Sequence, residues 1–215
     1  MANNILQAHN IRVSESGERY IVLGHGMGTD QSVWNRLLPF FTGMYRVIRY
    51  DLACAGSMNP DSFDIIKYST LDGYVDDLLN ILDALGVDRC VFCGSLHIRN
   101  DWNLGFHSET SALLQAHSSL CFPKEMFAAM EANYEAWVYG TIVNTDIRSV
   151  LGQVRVPCCI IHTARDASVP LSAAEYLRNH LGGRTTLQIL NTEGHLPHLS
   201  APALTGRAIC RALPR

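Results

Sequence analysis

The sequence predicts an α/β protein with a mostly parallel sheet and helices on both faces. Three observations carry this. Short β-branched and aromatic runs alternate with stretches of helical periodicity, each run closes on turn residues, and no repeat or low-complexity tract interrupts the alternation. Strand–helix alternation of this kind builds parallel sheets, because each crossover helix returns the chain to the same edge direction.

Tyr20–Leu23 and Tyr45–Tyr50 read as strands, with a short helix over Ser32–Pro39 between them. Leu71, Val75, Leu78, Leu79, Leu82 and Leu85 recur at helical spacing, and Gly86 is a natural stop. Ser69 with Asp72 three residues on resembles a capping box opening that helix. A strand over Cys90–Gly94 follows. Beyond an interruption come a strand over Pro157–Thr163, a helix over Leu171–Leu181, a strand over Thr185–Leu190 and a closing helix over Ala203–Leu213. The interruption spans 95–124: Arg99-Asn100-Asp101-Trp102-Asn103 is polar without periodicity, and irregular structure is expected there. Glu125–Trp137 is helical again, with Met126, Ala129, Met130, Tyr134 and Trp137 on one face.

At 215 residues and 47% hydrophobic, the chain can bury one good core, so a single domain over 1–215 is expected. A net charge of −3 without a basic block argues against a nucleic-acid surface. The start Met1-Ala2-Asn3-Asn4 lacks the pattern of a signal peptide, and no apolar run is long enough to span a bilayer. A soluble, intracellular protein with no membrane contact is expected. Seven cysteines, Cys158 and Cys159 among them, then read as reduced thiols packed as small hydrophobes.

Three segments carry chemistry. Val22-Leu23-Gly24-His25-Gly26-Met27-Gly28 is a strand ending in a glycine-rich turn, where the Met27 backbone N–H can face an oxyanion. Ile160-Ile161-His162-Thr163-Ala164-Arg165-Asp166 is a buried strand running into a loop with an acid. Thr192-Glu193-Gly194-His195 places a histidine just past another strand. Ligands of such sheets sit at the carboxyl ends of the strands, where His25, Asp166 and His195 all fall. In this order the segments match three of the four parts of an α/β-hydrolase active site: oxyanion turn, acid and base. A turn, a helix cap and a surface loop histidine are the plainer readings of the same residues. The pair His195-x-x-His198 has no third ligand placed to make it a metal site, and neither a metal nor a cofactor is implied.

The fourth part, Gly-x-Ser-x-Gly on a strand-to-helix turn, belongs after Cys90-Val91-Phe92-Cys93-Gly94. Ser95-Leu96-His97-Ile98-Arg99 stands there instead. Gapless comparison puts Leu96 at the apex, where it has no attacking atom. A turn shorter by one residue would bring Ser95 to the apex, with His97 crowding the helix–strand approach. Ser95 enters the catalytic set on that condition. Asp101-Trp102 lies too far past the strand to replace it.

Several segments resemble one family. His25-Gly26-Met27-Gly28-Thr29-Asp30-Gln31-Ser32-Val33-Trp34, Asp51-Leu52-Ala53-Cys54-Ala55-Gly56-Ser57 with Asn59-Pro60-Asp61, and Met130-Glu131-Ala132-Asn133-Tyr134-Glu135-Ala136-Trp137 are similar to signatures of the plant strigolactone and karrikin receptor-hydrolases. Asp146–Gly152 and Thr192–Pro202 continue the resemblance to the C-terminus. It implies an α/β-hydrolase fold with a truncated helical lid, of which 125–140 is the remnant. It also implies a butenolide-type small-molecule ligand, with His25, Tyr134 and Trp137 at the pocket, although at helical spacing Tyr134 and Trp137 fit a plain core equally well. By the same resemblance the partners are an F-box protein and a repressor protein, in cytoplasm and nucleus. The family's elbow, Gly-His-Ser-Val-Ser, is not matched. Three readings stay open: an impaired hydrolase, a non-catalytic ligand- or partner-binding protein, and a poorly folded product of an aberrant coding sequence.

Overall fold

The computed structural model describes residues 2–26, 29–53, 55, 64, 66–94 and 146–214. They fall in two compact units, one before and one after the interruption. The irregular segment expected over 95–124 and the lid remnant over 125–140 lie outside the described residues.

The first unit holds α1 (Ala2–Ala8), β1 (Arg12–Val13), β2 (Arg19–Gly24), α2 (Leu38–Phe41), β3 (Tyr45–Arg49), α3 (Asp72–Ala84) and β4 (Cys90–Gly94). The strands form one sheet in the order β1-β3-β2-β4. β2 runs parallel to both neighbours, with Val22 opposite Ile48 and Phe92, while β1 closes the edge antiparallel to β3. Ile21, Val22 and Leu23 are fully buried, so β2 is covered on both faces, as a central parallel strand must be. Val22, Ile48 and Tyr50 meet Ile81 of α3 and Val87, and Ile5 and Leu6 of α1 pack on that cluster.

The segment over Ser32–Pro39 is a 3-10 helix, Gln31–Leu37, that runs into α2. The Asp30 side chain caps it by accepting from Ser32 N–H at 2.7 Å. α3 ends where Gly86 allows it: φ is +66°, Gly86 N–H reaches Asp83 O at 3.1 Å, and Val87 N–H reaches Leu82 O at 2.9 Å. That pair of bonds is a Schellman motif. The start of α3 differs from the expected capping box. Thr70 Oγ1, not Ser69, accepts from Asp72 N–H (3.3 Å), whereas the Ser69 hydroxyl turns back to Ile66 O (2.7 Å). The helix begins at Asp72, so the hydroxyl that reaches its free N–H groups is the one two residues before it.

Inside α3, Asp77 is 2% exposed. Tyr68 Oη donates to its carboxylate at 2.8 Å, Lys67 Nζ also reaches it, and His9 Nε2 lies 3.4 Å away. Burial alone would raise this carboxyl, but bonds from His9, Lys67 and Tyr68 outweigh it and hold it below the usual range.

The second unit holds a 3-10 turn (Arg148–Gln153), β5 (Cys158–Arg165), α4 (Leu171–His180), β6 (Thr185–Glu193), α5 (Pro197–Ser200) and α6 (Pro202–Ala212). β5 and β6 pair in parallel, with a register shift between Thr163 and Arg165 that leaves Arg165 opposite Glu193. β6 therefore extends three residues past the expected Leu190. α4 buries Ala173, Ala174 and Leu177, and α6 buries Ala208 and Ile209. Cys158 and Cys159 depart from the expectation of core thiols: both are only half-buried, in a strand with one partner among the described residues. No helix among the described residues is long and apolar enough to cross a membrane.

Gly17 has φ +104°, and a Cβ there would come 2.2 Å from the Tyr45 backbone carbon; Gly43 has φ +86° and open space around it. Gly43→Ala therefore meets only the left-handed backbone penalty, about 1 kcal/mol. Gly17→Ala must also push β3 away and should cost roughly 2–3 kcal/mol or more. Chemical denaturation of the two variants checks the order; equal losses would contradict the close approach.

Candidate active site

Asp166 is the first residue past β5. Its Oδ1 accepts from Ser168 N–H (2.8 Å) and Val169 N–H (3.0 Å), an Asx turn that bends the loop back toward α4. Oδ2 stays available and meets His195 Nδ1 at 2.8 Å. Asp166 is nearly buried, its side chain 5% exposed, while that of His195 is 19% exposed. Burial would raise the Asp166 carboxyl. The His195 hydrogen bond and charge, followed by the Val169 and Ser168 N–H groups, more than offset this and hold it below its ordinary value. The carboxylate is thus ionised and directed, which fixes the Nδ1–H tautomer of His195 and leaves Nε2 as the ring's other functional atom.

His195 follows β6 through Gly194, whose φ of +89° sets the turn. Gly194 N–H donates to Arg165 O at 2.9 Å, and the Thr163 hydroxyl donates to Gly194 O at 2.9 Å. Both ends of Gly194 are therefore tied to β5, beside the residue that carries the acid. Thr163, which no sequence signal singles out, is one of the groups that set the His195 position. His198, one turn further, is 5% exposed, and burial, followed by the charge of His195, pushes its pKa down to about 4. It is neutral at ordinary pH. Among the described residues no group of three or more ligating side chains is placed to hold a metal ion.

In the first unit, His25 follows β2 and is 4% exposed. Its Nε2 accepts from Leu52 N–H at 2.9 Å, so the ring proton sits on Nδ1 and is donated to Gly26 O at 2.9 Å. Thr29 Oγ1 donates to the same carbonyl at 2.7 Å. Burial lowers the His25 pKa, more than the Gly26 bond and the charges of Asp51 and Asp30 raise it, so the ring is neutral. It ties the turn after β2 to the chain after β3. The expected pocket histidine spends both nitrogens on backbone.

Gly94, the glycine that should open the nucleophile turn, is the last residue of β4 and lies opposite Gly24. A Cβ at either position would meet the Phe92 ring, at 2.7 Å for Gly94 and 2.8 Å for Gly24. Of the predicted site residues, the structure brings His195 and Asp166 together. Met27, Ser95, Tyr134 and Trp137 lie outside the described residues.

Comparison with solved structures gives the class. A hydrolase from Oleispira antarctica superposes with a TM-score of 0.74 at 19% identity, covering 98% of this chain and 96% of that one. The enol-lactonase from Burkholderia xenovorans gives 0.69 at 19%, covering 95% and 98%. The fold is that of the α/β-hydrolases. No protein-family model matches the chain.

Curated relatives give the family. A strigolactone esterase of Arabidopsis thaliana is 43% identical over 99% of both chains, and one of Pisum sativum is 45% identical over 94% of this chain and 96% of its own. A karrikin insensitive 2 receptor of Petunia hybrida is 36% identical over 91% and 90%. The chain belongs to the plant strigolactone/karrikin receptor-hydrolase family. The first alignment runs over 277 positions for a chain of 215 residues, so that relative carries several tens of residues with no counterpart here.

The burial of His198 has a consequence in acid. The unfolded chain takes up this proton near the ordinary value of 6.5, the folded one only near 4, so the stabilisation is complete above 6.5 and lost as pH falls toward 4. The loss is about 3 kcal/mol. Thermal unfolding between pH 7 and 4.5 should show a falling midpoint whose slope flattens in His198→Phe; an unchanged slope in that variant would contradict it.

Proposed function

We propose that this protein is a receptor-type member of its family that binds a butenolide-type small molecule and hydrolyses esters poorly or not at all. The observation that carries the reading is a contrast between strand ends. After β5 and β6 the acid and base stand at 2.8 Å, whereas after β4 the sequence reads Gly94-Ser95-Leu96 where the family carries Gly-His-Ser.

In an intact serine hydrolase the serine hydroxyl attacks the carbonyl while histidine Nε2 takes its proton, and backbone N–H groups hold the oxyanion. His195 is the base of that scheme, Asp166 orients it, and Met27 N–H is the oxyanion donor. Counted along the sequence from Gly94, Ser95 carries the nearest hydroxyl and stands one residue before the apex position. Without an attacking oxygen, the remaining parts retain roughly 10³–10⁴-fold over water, far short of an enzyme. The names of the similar proteins, strigolactone esterases and a karrikin receptor, support a butenolide-type ligand. On the same grounds the partners are an F-box protein and a repressor, met in cytoplasm and nucleus, with His25 bracing the turn beside the ligand and Tyr134 and Trp137 lining the pocket.

Two measurements on purified protein test this. A synthetic strigolactone should raise the thermal unfolding midpoint in a saturable way. Aryl ester hydrolysis should stay near the residual level and change little in Ser95→Ala. Enzyme-like turnover abolished by both Ser95→Ala and His195→Ala would instead make this an active hydrolase.

A further inference from the structure

His162 takes no part in the site as described, yet it is 9% exposed and both its ring nitrogens meet backbone carbonyls. Nδ1 lies 2.7 Å from Thr163 O and Nε2 lies 3.1 Å from Val169 O. A neutral imidazole has one N–H and donates to one of these oxygens; a ring with two N–H groups donates to both. The Thr163 contact is local to β5. The Val169 contact crosses to the loop that holds the acid.

That crossing matters because of what Val169 does. Its N–H donates to Asp166 Oδ1 at 3.0 Å beside Ser168 N–H at 2.8 Å, and this orientation leaves Oδ2 for His195 at 2.8 Å. Val169 is 8% exposed and is followed by Pro170, which caps α4 and has no N–H to offer. Without a donor from His162, the Val169 carbonyl would face the interior unsatisfied, and the loop would have to turn to hydrate it. Val169 joins the two peptide planes, so a loop shift that frees its carbonyl also loosens the N–H that donates to Asp166.

We propose that His162 is a positioning residue for the His195–Asp166 pair: its Nε2–H holds the Val169 carbonyl and thereby keeps the acid loop aimed at the base. The inference rests on the reading of His195 and Asp166 as base and acid. It gives the His195–Asp166 pair a second histidine, acting through the backbone.

The test is proton and nitrogen NMR of the full chain at one fixed pH. In the unmodified protein, His162 Nε2 should carry a protected proton, and His195 Nδ1–H should give the low-field resonance of an imidazole bonded to a carboxylate. His162→Leu should move that His195 resonance toward an ordinary imidazole position and speed its exchange with water by about tenfold. His162→Gln, whose amide N–H can reach the same carbonyl, should restore both. A role in packing alone would lower the unfolding midpoint of His162→Leu and leave the His195 signal in place, which would overturn the proposal. If His162→Leu does not fold, an unprotonated Nε2 in the unmodified protein overturns it equally. Asp166→Asn separates the two layers. A His195 signal unchanged in that variant means the base–acid reading itself fails; a signal lost there but kept in His162→Leu sinks only the role of His162.

Discussion

The hydrogen bond between His195 Nδ1 and Asp166 Oδ2 is the contact on which the arrangement of the second unit's strand ends turns, and much of that unit serves to place its two ends. Parallel pairing of β5 and β6 brings their carboxyl ends side by side, and the register shift after Thr163 aligns Arg165 with Glu193. The acid and base then follow within two residues of the strand ends. Gly194, tied to Arg165 and Thr163, converts strand proximity into a side-chain contact. A buried carboxylate without such partners would take up a proton. With three donors it stays charged, and a charge-assisted bond of this kind is worth about 1.5–3 kcal/mol.

Histidine in this chain takes its role from its surroundings. His198 is buried close to His195 and is neutral. His25 is buried against backbone, neutral, and locked in one tautomer by Leu52 N–H. His9 lies against the Asp77 carboxylate: burial lowers its pKa, but the Asp77 bond, the Asp51 carbonyl and the Asp77 charge outweigh that and raise it. His195 alone among these combines partial exposure with a carboxylate partner. That combination is what acid–base chemistry asks of a histidine, and sequence position alone does not supply it.

The strands were legible in the sequence, although β5 and β6 run two and three residues beyond their expected ends. β2, β4, β5 and β6 each close on glycine or polar turn residues, and the site residues sit just past them. α1 and β1 were not legible. A seven-residue helix has little stability of its own, and α1 is held by Ile5 and Leu6 on the α3 cluster. Spacing alone points to Ser69 as the cap because it does not show that α3 starts at Asp72, within reach of Thr70. Half-buried Cys158 and Cys159 differ from the expected core thiols because an apolar run looks the same in a sheet interior as in a strand with one partner among the described residues. His162 and Thr163 were invisible for a related reason: their roles run through main-chain groups of residues up to 31 apart, which no local pattern encodes. The family was legible from the flanking motifs of both units.

The proposed reading rests on two facts together: the His195–Asp166 contact, and a sequence that reads Gly94-Ser95-Leu96 after β4. The most direct measurement is reaction with a fluorophosphonate, which phosphonylates a serine only where a base activates it and an oxyanion site receives the attacked oxygen. Mass spectrometry of the digested protein then locates the adduct. The account predicts no stoichiometric label on Ser95, with an intact relative labelled fully under the same conditions. A one-to-one adduct on Ser95, lost in His195→Ala, would contradict it.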